Sequence, residues 1–238
     1  MDENVYILIH SPLVGPLTWS LVAAELQTRG LQVFVPTLED SPSSSDPYWK
    51  QHADSVAGSI SPIFQDTSVI LVAHSGAGPL LPAIRKSIPN PVRAYVFVDA
   101  GLPRHEATRL DLMKSEDAAW ASDFASYLDR GGKFPDWSFD DLQEIIPDEK
   151  LRRHMVSEIR PRGVSFFTEP ILVFAGWPDA PCVYIRFSAP YDKAAALARA
   201  ADWLVYDLEA GHFHMLVSPV AVTDMIVNSV NLVSPPTT

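Results

Sequence analysis

The chain is poor in cysteine and in basic residues, and it has no long apolar run. Its one cysteine, Cys182, excludes an internal disulfide and a metal site built from several thiolates. No uninterrupted apolar stretch approaches the roughly 20 residues that a membrane-spanning helix needs. The acidic start MDENVYILIH also lacks the basic residues of a secretory leader. We therefore expect no membrane partner and, by default, a cytoplasmic protein.

The charge balance argues against a polyanionic partner. Lys and Arg number 18 against 29 Asp and Glu, which gives a formal net charge of −11. Such a chain repels nucleic acid, so a small-molecule substrate is the expected partner. Apolar residues are abundant, at 47 % of 238 residues, which suits one α/β domain with an insertion or two small domains. The oligomeric state is left open.

Short apolar runs alternate along the chain with segments of helical periodicity. The runs are mostly continuous rather than alternating, which is typical of parallel strands covered on both faces. We therefore predict an α/β fold with a mostly parallel sheet flanked by helices. The predicted strands are 5–9, 31–35, 69–73, 92–98, 182–187 and 203–208; the predicted helices are 17–29, 47–60, 76–87, 191–201 and 219–230; residues 232–238 are predicted to be a loose tail.

Residues 101–169 interrupt this alternation with a stretch rich in charged and aromatic residues. They contain helical patches and no clear strand, so we predict a helical cap inserted into a core formed by 1–100 and 170–238. Three of the aromatic residues have the spacing of one helical face: Trp120, Phe124 and Tyr127. They either dock the cap on the core or line an apolar pocket, and docking is the simpler interpretation.

The stretch VILVAHSGAG (residues 69–78) ends a predicted strand in a serine surrounded by small residues. It is a variant of the G-x-S-x-G nucleophile elbow, with Ala73 in place of the first glycine. The turn is sharp, so positions two before and two after Ser75 have to be small, and here they are Ala73 and Ala77. Ser75 then stands at a helix N-terminus, where the Gly76 N–H can hold an oxyanion. The alternative is an ordinary strand-to-helix turn with a capping serine.

A nucleophilic serine needs a base, and His212 follows the last predicted strand. It comes directly after Gly211 at the loop tip, whereas His214 leads into the next helix and is expected to pack or to line the pocket. The pair could bind a metal ion, but no cluster of carboxylates or cysteines accompanies it, so we expect none. Nucleotide-binding glycine motifs are absent from the sequence, so no cofactor is expected. Three further histidines are predicted to lie at the surface: His52, His105 and His154.

With these residues the chain resembles the α/β-hydrolase superfamily over nearly its whole length. HSPLVGPLTW (residues 10–19) is similar to the HGxxHGxWxW stretch of plant hydroxynitrile lyases and methylesterases. GHFHML (residues 211–216) resembles their DHxxML stretch, and the catalytic histidine of the family then falls on His212. The resemblance implies acyl transfer by a serine, a histidine and an acid, without a cofactor.

Two departures from the family pattern stand out, and the first concerns the oxyanion hole. In the relatives the second donor is a backbone N–H at the position of Pro12, which has none. We predict Leu13 together with Gly76, with the side chain of Ser11 as the alternative. One lost donor costs about 3 kcal/mol in the transition state. The residues expected at the substrate are His10, Ser11, His74 and His214.

The second departure concerns the acid of the triad. In the relatives it follows the penultimate strand, where this chain has Ser188. Asp99 is preferred, because it ends the strand 92–98 and an aspartate at that edge can orient a histidine above the sheet. Asp192, four residues after Ser188, is the alternative. A third possibility is that neither Asp99 nor Asp192 is the acid. Asp179 is a turn residue and a weaker candidate.

The predicted function is therefore that of a serine hydrolase acting on a small ester, thioester or lactone through Ser75, His212 and Asp99. A lyase of the hydroxynitrile-lyase type would use the same Ser–His pair without an acyl intermediate. The plant lyases carry a lysine near the late loop, whereas Lys193 is the last lysine here. A non-catalytic ligand-binding protein of the same fold is the third possibility.

Overall fold

The computed structural model describes residues 4–60, 64 and 67–234. Six parallel strands form one sheet in the order β2-β1-β3-β4-β5-β6. The strands are β1 (Val5–Ile9), β2 (Gln32–Phe34), β3 (Val69–His74), β4 (Val92–Val98), β5 (Cys182–Arg186) and β6 (Leu204–Asp207). The predicted α/β fold with a parallel sheet is confirmed.

Helices cover both faces of the sheet. One face carries α1 and α10, and the other carries α2, α3 and α8. The flanking helices are α1 (Leu17–Thr28), α2 (Tyr48–Ile60), α3 (Leu81–Ser87), α8 (Asp192–Ala200), α9 (His214–Val217) and α10 (Pro219–Val233). None of the helices among the described residues has the length and apolarity needed to cross a membrane.

The continuous apolar runs are explained by this two-sided cover. Ile7 and Leu71 pack toward α2 and α3, whereas their neighbours Leu8 and Val72 pack toward α1 and α10. All four side chains are fully buried. Since successive strand residues point to opposite faces, a sheet buried on both faces requires apolar residues at every position.

The structure differs from the predicted helix bounds by more than one residue in two places. The helix predicted at 76–87 is a 3₁₀ turn over Ser75–Leu80 followed by α3. Pro79 within that turn lacks an N–H, which favours a tight turn before the α-helix begins. The predicted loose tail is partly helical, because α10 continues to Val233. Residues 235–238 of that tail lie outside the described residues.

Four helices lie between β4 and β5, in the segment predicted to be a cap. They are α4 (Arg109–Glu116), α5 (Ala118–Asp129), α6 (Glu149–Glu158) and α7 (Val164–Thr168). Phe124 and Phe167 pack there with Leu13 of the loop after β1, so this segment is seated on the core. Trp120 stacks on Phe124 but stays 46 % exposed. The domain bounds themselves stay a prediction.

A buried charged cluster joins this segment to the loop after β2. His52, predicted to be a surface residue, is fully buried and lies 3.0 Å from Asp40 through Nε2. The prediction is wrong because Asp40 supplies the partner that a buried imidazole needs. Arg162 donates to the same carboxylate at 2.7 Å, and Arg109 donates to Glu169 at 2.8 Å. Burial lowers the pKa of His52, so its ring is a neutral donor to Asp40.

Candidate active site

Ser75 occupies a strained turn at the carboxyl end of β3. Its φ is +56°, in the left-handed region that costs a non-glycine residue about 1–3 kcal/mol. The backbone N–H of Gly101, just past β4, donates to the carbonyl oxygen of Ser75 at 3.2 Å. This is the backbone that a nucleophile elbow requires, since it lifts the serine above the edge of the sheet.

The small residues around Ser75 are needed for close packing. Ala73 and Ala77 are both fully buried. The closest approach, however, is at Gly78, where a Cβ atom would stand 2.1 Å from the carbonyl oxygen of Gly101. Gly78 therefore permits the turn to press against the end of β4.

Asp99 lies beside His212 at the same edge of the sheet. Its Oδ2 is 2.6 Å from Nδ1 of His212, and the carboxylate is fully buried. Oδ1 accepts the backbone N–H groups of Phe187 and Ser188, each at 2.9 Å, and the Ser188 hydroxyl donates to Oδ2 at 2.5 Å. Four donors thus hold the charge in place, and three of them come from the segment where relatives carry their acid.

The competing aspartates are engaged elsewhere. Asp192 begins α8, is half exposed and pairs with Arg186 at 2.8 Å. Asp179 accepts from Arg85 at 2.7 Å and from the Tyr95 hydroxyl at 2.6 Å. Neither of the two contacts His212, so the geometry favours Asp99 as the orienting carboxylate.

His74, next to the serine, lies beneath His212. It is fully buried, and its Nε2 is 3.0 Å from the backbone carbonyl oxygen of His212. The two imidazole centres are 4.4 Å apart. Burial lowers the pKa of His74 well below its ordinary value, so the ring is neutral and donates to that carbonyl. Its predicted contact with substrate stays a prediction, and complete burial favours a role in bracing the His212 loop.

Tyr191 is a site residue that the sequence analysis missed. Its hydroxyl is 3.1 Å from Oγ of Ser75, and its ring stacks on His212 at 5.2 Å with an angle of 7°. The hydrogen bond of the Ser75 hydroxyl in this structure is therefore with Tyr191 and not with His212. Tyr191 ends a 3₁₀ turn (Ala189–Tyr191) for which no motif exists, so only its nearness to Ser188 could have marked it.

Two backbone N–H groups of the loop after β1 form hydrogen bonds within the loop. The Leu13 N–H donates to Oγ of Ser11 at 3.4 Å, and the Val14 N–H donates to the carbonyl oxygen of Ser11 at 3.1 Å. Gly76 faces this loop, because a Cβ on it would stand 3.1 Å from Oγ of Ser11. As one of the first residues of its turn, Gly76 has no acceptor for its N–H within that turn. The predicted use of Leu13 as an oxyanion donor stays a prediction and would require this N–H to leave Ser11.

The remaining predicted substrate contacts are His10, Ser11 and His214, and those of Ser11 and His214 stay predictions. His10 is fully buried; its Nδ1 bonds the carbonyl oxygen of Ser11 at 2.8 Å and its Nε2 accepts the Leu38 N–H at 3.2 Å. Burial lowers the pKa of His10 to about 4. This favours a bracing role for His10, and its contact with substrate stays a prediction. His214 packs on Phe187 at 5.6 Å and is partly exposed.

The segment between β4 and β5 covers the His212 loop. A Cβ on Gly211 would stand 3.6 Å from the Ile145 side chain, and Trp137 packs edge-on against Phe213 at 5.9 Å. Among residues 4–60, 64 and 67–234, no group of three or more His, Cys, Asp or Glu side chains is arranged to hold a metal ion.

Comparisons with known proteins agree with the fold. The model of the alpha/beta hydrolase family matches residues 6–225. No curated protein sequence matches the chain. At identities below 20 %, the solved structures show a likeness of fold alone. They include an extracellular α/β-hydrolase from Paenibacillus (TM-score 0.74, 16 % identity, covering 95 % of this chain and 98 % of that one), tomato methylketone synthase I (0.72, 14 %, 96 % and 98 %) and a pyrethroid hydrolase from Sphingobium faniae JZ-2 (0.68, 18 %, 96 % and 97 %).

Proposed function

Because the chain belongs to the alpha/beta hydrolase family, we propose that it is a serine hydrolase that cleaves a small ester, thioester or lactone. The family match supports a hydrolase in general, and the type of bond is our proposal. It is carried by the 2.6 Å contact between Asp99 and His212 beside the strained turn of Ser75. A carboxylate on Nδ1 keeps the proton on that nitrogen and leaves Nε2 as the base.

The proposed reaction has two halves. When substrate enters, the hydrogen bond between the Ser75 and Tyr191 hydroxyls breaks. Ser75 then gives its proton to Nε2 of His212 and attacks the carbonyl carbon of the substrate. The Gly76 N–H stabilises the oxyanion, and His212 returns the proton to the leaving group as the C–O or C–S bond breaks. Water, activated by the same imidazole, then releases the acid and restores Ser75.

A fluorophosphonate probe tests this proposal. The probe should add its phosphonyl group once to the folded protein, as measured by intact mass, because only an activated serine reacts. Labelling should disappear in Ser75→Ala and fall at least about 100-fold in rate in His212→Ala. Ser126→Ala, which changes an exposed serine of α5, is the matched control and should label like the wild type. Absence of labelling in well-folded wild type would contradict the proposal and favour a non-catalytic binding protein.

A lyase that uses the same Ser–His pair is the second candidate. The shortage of oxyanion donors favours this candidate. Pro12 has no N–H, and the N–H groups of Leu13 and Val14 already donate to Ser11. A lyase forms no acyl-enzyme and needs the oxyanion hole less. Rapid mixing with p-nitrophenyl acetate separates the two: a p-nitrophenol burst equal to the enzyme concentration supports the hydrolase. Cleavage of a cyanohydrin without such a burst supports the lyase.

A further inference from the structure

The hydroxyl of Tyr191 has no place in the scheme above, although it touches the reacting atom. It lies 3.1 Å from Oγ of Ser75, and the Tyr191 ring is parallel to the imidazole of His212. A hydroxyl 3.1 Å from the attacking oxygen is close to the groups that are bonded to the carbon that Ser75 attacks. The contacts of Tyr191 therefore indicate which oxygen of the substrate its hydroxyl can bond.

The short turn that carries Tyr191 is held at both ends. The Tyr191 N–H donates to the carbonyl oxygen of Ser188 at 3.0 Å, and Ser188 in turn bonds Asp99. On the other side, Asp192 pairs with Arg186 at 2.8 Å. The hydroxyl is therefore positioned by the same acid that orients His212, which a side chain on a loose loop would not be.

A further contact ties this region to the segment between β4 and β5. The Lys193 N–H donates to a carboxylate oxygen of Glu116 at 3.2 Å, and Nζ of Lys193 donates to the Glu116 carbonyl oxygen at 2.7 Å. Glu116 is the last residue of α4. The start of α8, next to Tyr191, thus sits between the sheet edge and the covering helices.

Two different sets of groups lie near Ser75. A Cβ on Gly76 would approach Ser11 and Pro12 of the loop after β1. The Ser75 hydroxyl itself is bonded to Tyr191, whose ring stacks on the imidazole of His212. In a tetrahedral intermediate the oxyanion turns toward the backbone donor, and the leaving group turns toward the histidine that must protonate it. Because Tyr191 stacks on His212, its hydroxyl is expected to lie near the leaving group that this histidine protonates.

We propose that Tyr191 is a further catalytic residue, which donates a hydrogen bond to the leaving-group oxygen as the scissile bond breaks. This inference rests on the proposed serine hydrolase function. The electron pair of the C–O bond goes to the leaving oxygen, and the proton on Nε2 of His212 moves to it. Tyr191 keeps its own proton and stabilises the charge that develops before that proton arrives.

The electrostatics of Tyr191 suit this role. Burial, together with the charge of Asp99, raises the pKa of its hydroxyl well above the ordinary value. The phenol is therefore neutral and a donor at any pH at which the histidine acts as base. Help of this kind matters for oxygens that leave as basic alkoxides, so the proposal also assigns a substrate class: esters of aliphatic alcohols, rather than esters of acidic phenols.

Tyr191→Phe, which keeps the stacked ring and removes only the hydroxyl, tests the assignment. We would measure kcat/KM, which reports acylation, for acetates of p-nitrophenol, phenol and trifluoroethanol, in order of increasing basicity of the leaving oxygen. The expected loss is below about threefold for the first and about 10–100-fold for the last. Tyr206→Phe in β6 is the matched control and should leave all three rates near those of the wild type.

The outcomes separate the two proposals. A fluorophosphonate labelling rate in Tyr191→Phe within about threefold of the wild type shows that Ser75 and His212 are intact. Equal losses for all three acetates, or a larger loss for p-nitrophenyl acetate, would overturn the role of Tyr191 while the hydrolase stands. Failure of the wild type to label would overturn the hydrolase and this inference with it.

Discussion

Asp99 places its carboxylate 2.6 Å from Nδ1 of His212, although 113 residues separate the two in the chain. The contact is possible because β4, which Asp99 follows, is central in the sheet, and the loop after β6 returns across its carboxyl edge. In the sheet, β5 lies between β4 and β6. The segment after β5 supplies two donors to the Asp99 carboxylate, the backbone N–H groups of Phe187 and Ser188. The order of strands, rather than nearness in sequence, therefore brings these groups together.

Replacing Asp99 should have a far larger effect on turnover than replacing Asp192. Asp99→Asn keeps the shape but removes the charge that holds the proton on Nδ1, so kcat for p-nitrophenyl acetate should fall about 10³-fold or more. Asp192→Asn changes a half-exposed ion pair with Arg186 and should cost less than about tenfold. If only Asp192→Asn abolished turnover, the assignment of the acid would be wrong.

Ser188 should assist catalysis through Asp99. Its hydroxyl donates to the carboxylate at 2.5 Å, and a hydrogen bond to a charged group contributes about 1.5–3 kcal/mol. Ser188→Ala should therefore lower kcat about tenfold with little change in KM, because no contact with substrate is lost. Ser188→Thr, which retains the hydroxyl, should recover most of the rate. Equal losses in both variants would point to a structural effect instead.

Gly78 and Gly58 should respond oppositely to alanine. A Cβ at Gly78 would stand 2.1 Å from the Gly101 carbonyl oxygen, so Gly78→Ala should destabilise the fold by about 2–3 kcal/mol. Gly58 lies exposed in α2, and no atom of the described residues is within 4 Å of such a Cβ, so Gly58→Ala should stabilise the fold by about 0.5–1 kcal/mol. Urea unfolding followed by circular dichroism measures both. A stable Gly78→Ala variant would show that the elbow has room to shift.

Acid should weaken the fold through its buried histidines. The folded-state pKa of His10 is about 4, below the value of 6.5 in the unfolded chain, because burial and the nearby charge of Arg160 disfavour the imidazolium. The unfolded state therefore binds the extra proton first. The free energy of unfolding should fall as the pH drops from about 6.5 to about 4, by about 3 kcal/mol from His10 alone.

The variant His10→Asn checks this pH dependence. Asparagine cannot take up the proton, so the free energy of unfolding should depend less on pH between 6.5 and 4, even if its value at pH 7 is lower. His52 and His74 also have lowered pKa values, so part of the slope should remain. Unfolding in urea at several pH values gives both curves, and identical slopes would contradict the assignment to His10.

The parallel sheet could be predicted from the sequence because strands buried on both faces leave an unmistakable pattern of continuous apolar runs. The positions of Ser75, Asp99 and His212 could be predicted for a related reason, since each follows a strand and parallel strands end at one edge. Their catalytic roles stay proposals. The sequence predicts an α-helix from residue 76, whereas α3 begins at Leu81, after a 3₁₀ turn that contains Pro79.

The contacts that His52 and Tyr191 make with distant polar groups could not be predicted. His52 has the periodic surroundings of any helix residue, and its burial depends on Asp40 and on Arg162, which is contributed from far along the chain. Tyr191 depends on the way the segment after β5 bends back toward Asp99. In both cases the partner is chosen by tertiary structure, and neither spacing nor composition records it.

The three residues from Asp99 to Gly101 have a consequence for protein engineering. Within this one short stretch lie the carboxylate beside His212 and the amide and carbonyl groups that brace the Ser75 turn. The covering helices begin only after it. A chimera that takes its lid from another hydrolase should therefore be joined downstream of Gly101, because a graft made three residues earlier would exchange the acid and loosen the Ser75 turn in one step.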